Sequence, residues 1–146
     1  MMRKNEFTFI FDSNSENESL ARTVIAAFIA RLDPTLEELA DVKTAVSEAV
    51  TNAIIHGYEG ADGKITIHSR MEDNTVWIEI SDKGVGISDI DKAMEPLYTT
   101  KPEMERSGMG FAFMEAFMDD LNVISEEGKG TTVKMRKTIY SAINMS

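Results

Sequence analysis

Hydrophobic and polar positions first alternate at residues 6–12, where Phe7, Phe9 and Phe11 share one side, the period of a strand with one buried face. Ser13 and Ser15 each stand three residues before a glutamate, so either can open a helix through a capping box. That helix is expected to run to about Leu32, with Leu20, Val24, Ala27 and Phe28 as its apolar stripe. Glu18 and Arg22 share another face as an i,i+4 ion pair, and Asp33-Pro34 breaks the helix. Thr35 and Glu38 form a second capping-box pair, opening a longer helix to about Gly57. Its core positions are Leu39, Val42, Val46, Ala49, Val50 and Ala53.

After a turn at 61–63, residues 64–70 and 75–81 alternate as two strands joined by Met71-Glu72-Asp73-Asn74. Ile65 and Ile67 fall on one side, as do Val76, Ile78 and Ile80. Residues 82–107 combine glycines, two prolines and mixed charge, and read as a long loop with one short helix near 90–95. Loops of that length inside a domain are uncommon and often functional. A helix from Gly108 to about Asp120, a strand at 121–125, a turn at 127–130 and a strand at 131–138 complete the pattern, and residues 139–146 are expected to fray. The order β-α-α-β-β-loop-α-β-β predicts an α+β fold: a two-layer sandwich with a mixed, mostly antiparallel sheet covered by helices on one face. Without repeats or an internal linker, residues 1–146 are expected to form a single domain.

Charge narrows the partners. With 25 acidic against 15 basic residues the net charge is -10, which repels phosphate backbones, and no concentrated basic patch offsets it, so direct nucleic-acid binding is not expected. The absence of cysteine excludes disulfides, thiolate metal sites and cysteine nucleophiles. The N-terminal residues turn acidic before any long apolar core, unlike a secretory signal, and the longest apolar run, 24–30, is too short to span a bilayer. No membrane association and a cytoplasmic location are therefore expected.

Three short motifs carry chemistry. Glu48, Asn52 and His56 recur at four-residue steps and so share a stripe of the long helix. The Asn52 carboxamide offers a hard neutral oxygen suited to Mg2+, and a glutamate one turn away can take a proton from an attacking hydroxyl. Taken alone the stripe is equally a polar helix edge facing solvent. Asp82-Lys-Gly84-Val-Gly86 follows a strand directly; a carboxylate there can accept from an exocyclic adenine amine, while the glycines let backbone approach a ligand. Ser107-Gly108-Met109-Gly110-Phe111 opens a helix whose free amides suit phosphate. Lys101 and Arg106 can add charge-assisted bonds, and Thr99 and Thr100 hydroxyl bonds, to phosphate oxygens. A weaker fourth element, Gly130-Thr131-Thr132, sets the Thr131 hydroxyl near the base-binding carboxylate, although Thr-Thr pairs also occur for β-propensity alone. No GxxxxGK[ST] loop, no HRD or DFG triplet and no complete dinucleotide fingerprint is present.

In combination, E-x-x-x-N-x-x-x-H, D-x-G-x-G, a lid-like loop, G-x-G at a helix start and a late G-T-T resemble the N box, G1 box, ATP lid and G2 box of the GHKL superfamily, which includes DNA gyrase and sensor histidine kinases. Within it, SEAVTNAIIHGYE, PLYTTKPEMERSGMGF and MEAFMDDL closely resemble the small anti-sigma serine kinases of endospore-forming bacteria. The resemblance covers most of the chain. It implies Asn52 as the Mg2+ ligand, Glu48 as catalytic base and Asp82 as the adenine reader, with Gly84, Gly86 and Thr131 beside it. It further implies that Thr99, Thr100, Lys101, Arg106, Ser107, Gly108, Met109, Gly110 and Phe111 bound the phosphates of ATP, and that His56 is a pocket-edge residue and not a phosphoacceptor. The implied partners are an RNA polymerase sigma factor, sequestered by a homodimer, and an anti-anti-sigma factor, phosphorylated on serine. The competing readings are an ATP-gated binding module without transfer, a general-stress anti-sigma kinase of the same family, the ATP-binding half of a histidine kinase and a gyrase-like ATPase. The last two fit less well, because no phosphoacceptor helix pair precedes the first strand and no large coupled domain is attached.

Overall fold

Five short runs that alternate in polarity need a common apolar partner, and they find it in one sheet. A computed structural model describes residues 4–95 and 110–140. Its elements are β1 (Lys4–Asp12), α1 (Asn17–Ile29) with a 3-10 turn to Leu32, α2 (Leu36–Asn52) with a π turn (Ala53–Gly57), β2 (Lys64–Glu72), β3 (Thr75–Asp82), α3 (Ile90–Ala93), α4 (Gly110–Phe117), β4 (Asp120–Glu126) and β5 (Gly130–Thr138). The strands lie in the order β1-β2-β3-β5-β4. All four pairings are antiparallel, so the parallel component of the expected mixed sheet is absent among the described strands.

The register aligns the apolar side chains in rows. Phe9, Ile67, Ile80, Val133 and Val123 are successive cross-strand partners, and Phe7, Ser69, Ile78, Met135 and Leu121 form the next row. Because side chains of a strand alternate between faces, both rows lie on the side covered by α1, α2 and α4. The one polar member, Ser69, is fully buried and donates to the Trp77 carbonyl at 2.8 Å, so no hydrogen-bonding group is lost there. Phe28 of α1 meets Phe7 edge-on at a centroid distance of 4.7 Å, locking helix to sheet.

The opposite face stays polar. Glu79 on β3 contacts Lys134 and His68, and Arg70 covers the Trp77 ring at 3.7 Å. The two-layer expectation, with helices on one face, therefore holds among the described residues.

Three details depart from expectation. The buried stripe of α1 is Ala21, Ile25, Phe28 and Ile29, whereas Leu20 is 45% exposed and Ala27 is exposed too. Residues 24–30 are apolar all round, so periodicity alone leaves the phase of the helix open; packing puts the isoleucines inward. Neither serine caps α1: Ser13 donates to the Ala61 carbonyl, while the Asn14 side chain accepts from the Glu16 N–H at 3.0 Å. Ile139, expected to fray, is fully buried and its N–H donates to the Asn74 carbonyl at 2.8 Å. The Thr35–Glu38 capping box, by contrast, forms in full.

Candidate functional site

α2 does not end as an ordinary helix. After Asn52 the chain widens into a π turn, in which the Tyr58 N–H reaches back five residues to the Ala53 carbonyl at 2.9 Å. Such turns displace the following side chains relative to an α-helix and cluster at functional positions. Here the widening brings Gly57 against β3 without removing His56 from the cleft. A Cβ on Gly57 would lie 2.8–2.9 Å from all three carboxyl atoms of Asp82, so only glycine lets the helix end reach the acid.

Between α2 and the sheet lies an open cleft. Ala49, Asn52, Ala53, His56 and Gly57 form its helix wall; Ile80, Asp82, Thr131 and Val133 form its floor, and Gly86 and Ile87 close one end. Of the residues singled out in the sequence, Asn52, Asp82, Gly86, Thr131 and His56 thus meet around one hollow. Gly84 stands behind the wall, where its N–H donates to the Asp82 carboxylate at 2.9 Å. Glu48 is half-buried on α2, one turn before Asn52, and does not itself line the cleft. Gly110 and Phe111 begin α4, and the Phe111 side chain lies in the core, which leaves its backbone as the group available to a ligand. Thr99, Thr100, Lys101, Arg106, Ser107, Gly108 and Met109 lie outside the described residues.

Asp82 is the one buried carboxylate of the described residues, 9% exposed. Burial raises its pKa, opposed by hydrogen bonds from the Gly84 and Thr131 backbone N–H groups. An acid retained at an energetic cost on the wall of a cleft is characteristic of a recognition site. Charge there matches a ligand bearing a donor, such as an exocyclic amine.

Sequence reasoning missed the frame that holds this acid. The Tyr58 hydroxyl accepts from the Lys83 N–H at 2.8 Å and donates to the Lys64 carbonyl, tying the π turn to two strands. The Gly57 carbonyl accepts from the Val85 N–H at 2.8 Å. On the far side, Ser125 accepts from the Ile87 N–H at 2.7 Å. One signal for Ser125 was present: it interrupts the apolar phase set by Leu121 and Val123. Among the described residues, no helix is long and apolar enough to cross a membrane.

An antiparallel sheet of the described strands, with an asparagine-bearing helix end facing a buried aspartate across an open cleft, fits the class of kinase-like ATPase domains. The chain belongs to the family of histidine kinase-like ATPase domains, matched over residues 11–137, and within it to the anti-sigma F factors. It is 58% identical over 136 residues to the anti-sigma F factor of Clostridium acetobutylicum, covering 93% of this chain and 95% of that one. The corresponding figures are 62% over 131 residues, 90% and 92%, for the anti-sigma F factor of a Thermoanaerobacter species. For that of Bacillus velezensis they are 56% over 135 residues, 92% and 92%.

Among solved structures, the RsbU and RsbW domains of a Mycobacterium tuberculosis protein share the fold at a TM-score of 0.67 and 20% identity, over 92% of this chain and 32% of that one. The histidine kinase domain of a blue-light activated kinase from Erythrobacter litoralis does so at 0.58 and 19%, over 88% and 64%. Membership makes the chain an ATP-binding domain of the kinase-like type.

Proposed function

We propose that this chain, acting as a single domain, is an anti-sigma factor and protein-serine kinase: it sequesters an RNA polymerase sigma factor as a homodimer and phosphorylates an anti-anti-sigma factor with Mg-ATP in the cytoplasm. The observation that carries the nucleotide half is the convergence of Asn52 and Asp82 on one cleft. The partner half rests on the relatives named anti-sigma F factor.

The geometry supports one direction for the ligand. Gly57 and Asp82 touch at one end of the helix wall, while Glu48 lies beyond Asn52, one further turn back along α2. A nucleotide laid along this wall has its base on Asp82 and its terminal phosphate toward Glu48, passing Asn52 between them. Asp82, ionised, accepts from the exocyclic amine of adenine, and Thr131 borders the same edge. The amides of Gly108 to Phe111, with Thr99, Thr100, Lys101, Arg106 and Ser107, are assigned to the phosphates.

Asn52 would hold Mg2+ through its carboxamide oxygen. No group of three or more His, Cys, Asp or Glu among the described residues could hold a metal unaided, and Mg2+ takes few protein ligands beside phosphate and water. When bound there, the ion neutralises charge on the transferring phosphoryl group. Glu48 orients the incoming serine hydroxyl and accepts its proton. Positioning supplies most of the rate, as expected for a loose phosphoryl-transfer transition state.

The direct test is incubation of the purified protein with labelled ATP, Mg2+ and the candidate anti-anti-sigma protein, followed by mapping of the modified residue. Phosphoserine on that partner is expected, and Glu48→Gln should abolish transfer while sparing ATP binding. Transfer by the variant at the wild-type rate removes Glu48 from its role. Label on no candidate with either protein leaves an ATP-gated binding module.

A further inference from the structure

Asp82, Thr131 and Ser125 stand in one row across three adjacent strands: Thr131 is the register partner of Asp82 on β3 and of Ser125 on β4. Residues paired this way share a face of the sheet, here the helix side. Asp82 and Thr131 line the cleft, and Ser125 stands behind them at the edge strand.

The Ser125 hydroxyl has three neighbours. The Ile87 N–H donates to it at 2.7 Å, the Gly130 carbonyl lies at 3.1 Å and Thr131 Oγ1 at 2.8 Å. A serine hydroxyl carries one hydrogen and two lone pairs. Ile87 N–H can only donate and the Gly130 carbonyl can only accept, so one lone pair and the single hydrogen are taken. To make all three bonds, Thr131 must donate its own hydrogen to the remaining lone pair of Ser125. The Thr131 oxygen is then left as an acceptor only, beside a carboxylate that, ionised, also only accepts.

We infer that Ser125 is a specificity-positioning residue, which commits the Thr131 hydroxyl to Ser125 and makes the Asp82–Thr131 edge of the cleft acceptor-only. Resting on the nucleotide reading above, this deepens it: such an edge fits a purine carrying an exocyclic amine and disfavours one carrying a carbonyl at the same place. Ile87, tethered by the same hydroxyl, fixes the end wall.

The test is calorimetric titration of ATP and GTP, each with Mg2+, into the full chain and its Ser125 variants. Ser125→Ala should weaken ATP several-fold and tighten GTP, because the freed Thr131 hydroxyl can now donate to the guanine carbonyl. The ATP-to-GTP preference should fall about tenfold, on the order of one hydrogen bond. Ser125→Thr, which keeps the hydroxyl, should retain the wild-type preference. If the alanine variant folds poorly, Ser125→Cys, nearly isosteric and a weak donor, should shift the preference in the same direction. A purely structural role would weaken both nucleotides together. An unchanged ratio in Ser125→Ala, or the same loss in Ser125→Thr, overturns the inference while wild-type ATP binding leaves the nucleotide reading standing. Wild-type protein that binds neither nucleotide overturns the reading itself.

Discussion

The two ends of α2 solve the same problem in opposite ways. At its start, Thr35 and Glu38 satisfy each other's backbone N–H groups at 3.0 and 2.9 Å, a device built within four residues. At its finish, the helix widens into the π turn, closed by the Tyr58 and Gly60 N–H groups on the Ala53 and Ile54 carbonyls, and the Gly57 carbonyl finds its donor on the loop after β3, at the Val85 N–H. The first end stabilises a helix. The second spends regular geometry to place Asn52, His56 and Gly57 around a buried acid. If this division is right, substitutions at the second end should remove ligand binding, and those at the first should cost stability alone.

The largest effect is expected at Gly84. A Cβ there would overlap the Gly57 carbonyl, a backbone atom held by the Val85 N–H and unable to yield cheaply. Gly84→Ala should therefore separate the helix end from β3, at a cost of about 3 kcal/mol in denaturant unfolding. ATP affinity should drop beyond detection. Wild-type affinity in a folded Gly84→Ala protein would show that the contact is incidental to the cleft.

Next comes Asp82, where function and stability should move in opposite directions. Because burial holds its pKa above the ordinary value, the folded chain binds a proton there more tightly than the unfolded chain does. The stability this supplies is fully present below the unfolded value of 3.8 and is lost as pH rises through the raised folded value. At neutral pH the charged carboxylate is thus a burden. Asp82→Asn should abolish ATP binding yet raise stability by about 1 kcal/mol at pH 7, and should lack that acid-range loss. Unfolding curves of both proteins between pH 3 and pH 7 provide the check. A destabilised variant would mean that the two backbone N–H groups need both carboxylate oxygens more than the site needs relief from charge.

Sequence alone made one end of α2 legible and not the other. The capping box, the phase of α2 and the strand alternation are local rules, and Thr35, Val42, Val46, Ile65, Ile67, Ile78 and Ile80 appear where those rules put them. The convergence of Asn52 and Asp82 was also foreseeable, since the order and spacing of three motifs carried it. What escaped notice depends on contacts distant in sequence. The Tyr58 tether and the Ser125–Ile87 bond have no periodic signature, because each joins elements separated by the hairpin or by the long loop, and the π turn breaks the 3.6-residue period by which a helix is read. The misplaced stripe of α1 has a different cause: a segment apolar on every side contains no phase to read, and only packing against Phe7 and its neighbours chooses one.

At the regular end, Thr35→Ala removes the side-chain acceptor for the Glu38 N–H and should cost about 1 kcal/mol. ATP affinity should not change, as the substitution lies more than four turns from Asn52, with 3.6 residues to a turn. A matched loss of affinity would undo the proposed division of labour along the helix.

The smallest effect is expected at Glu38, and it tests whether the regular end is as local as it looks. One carboxylate oxygen accepts from the Thr35 N–H at 2.9 Å, and the other accepts from the Tyr140 N–H at 2.8 Å, far along the chain. Glutamine offers only one acceptor oxygen, so Glu38→Gln must give up one of these two bonds. Both are exposed, where water replaces a lost partner readily, and the cost should be about 0.5 kcal/mol. Amide hydrogen exchange distinguishes the alternatives. If Thr35 keeps its protection while Tyr140 loses it, the capping box outranks the long-range tether and the start of α2 is self-sufficient. Loss at Thr35 instead would show that this end, too, depends on the tertiary fold.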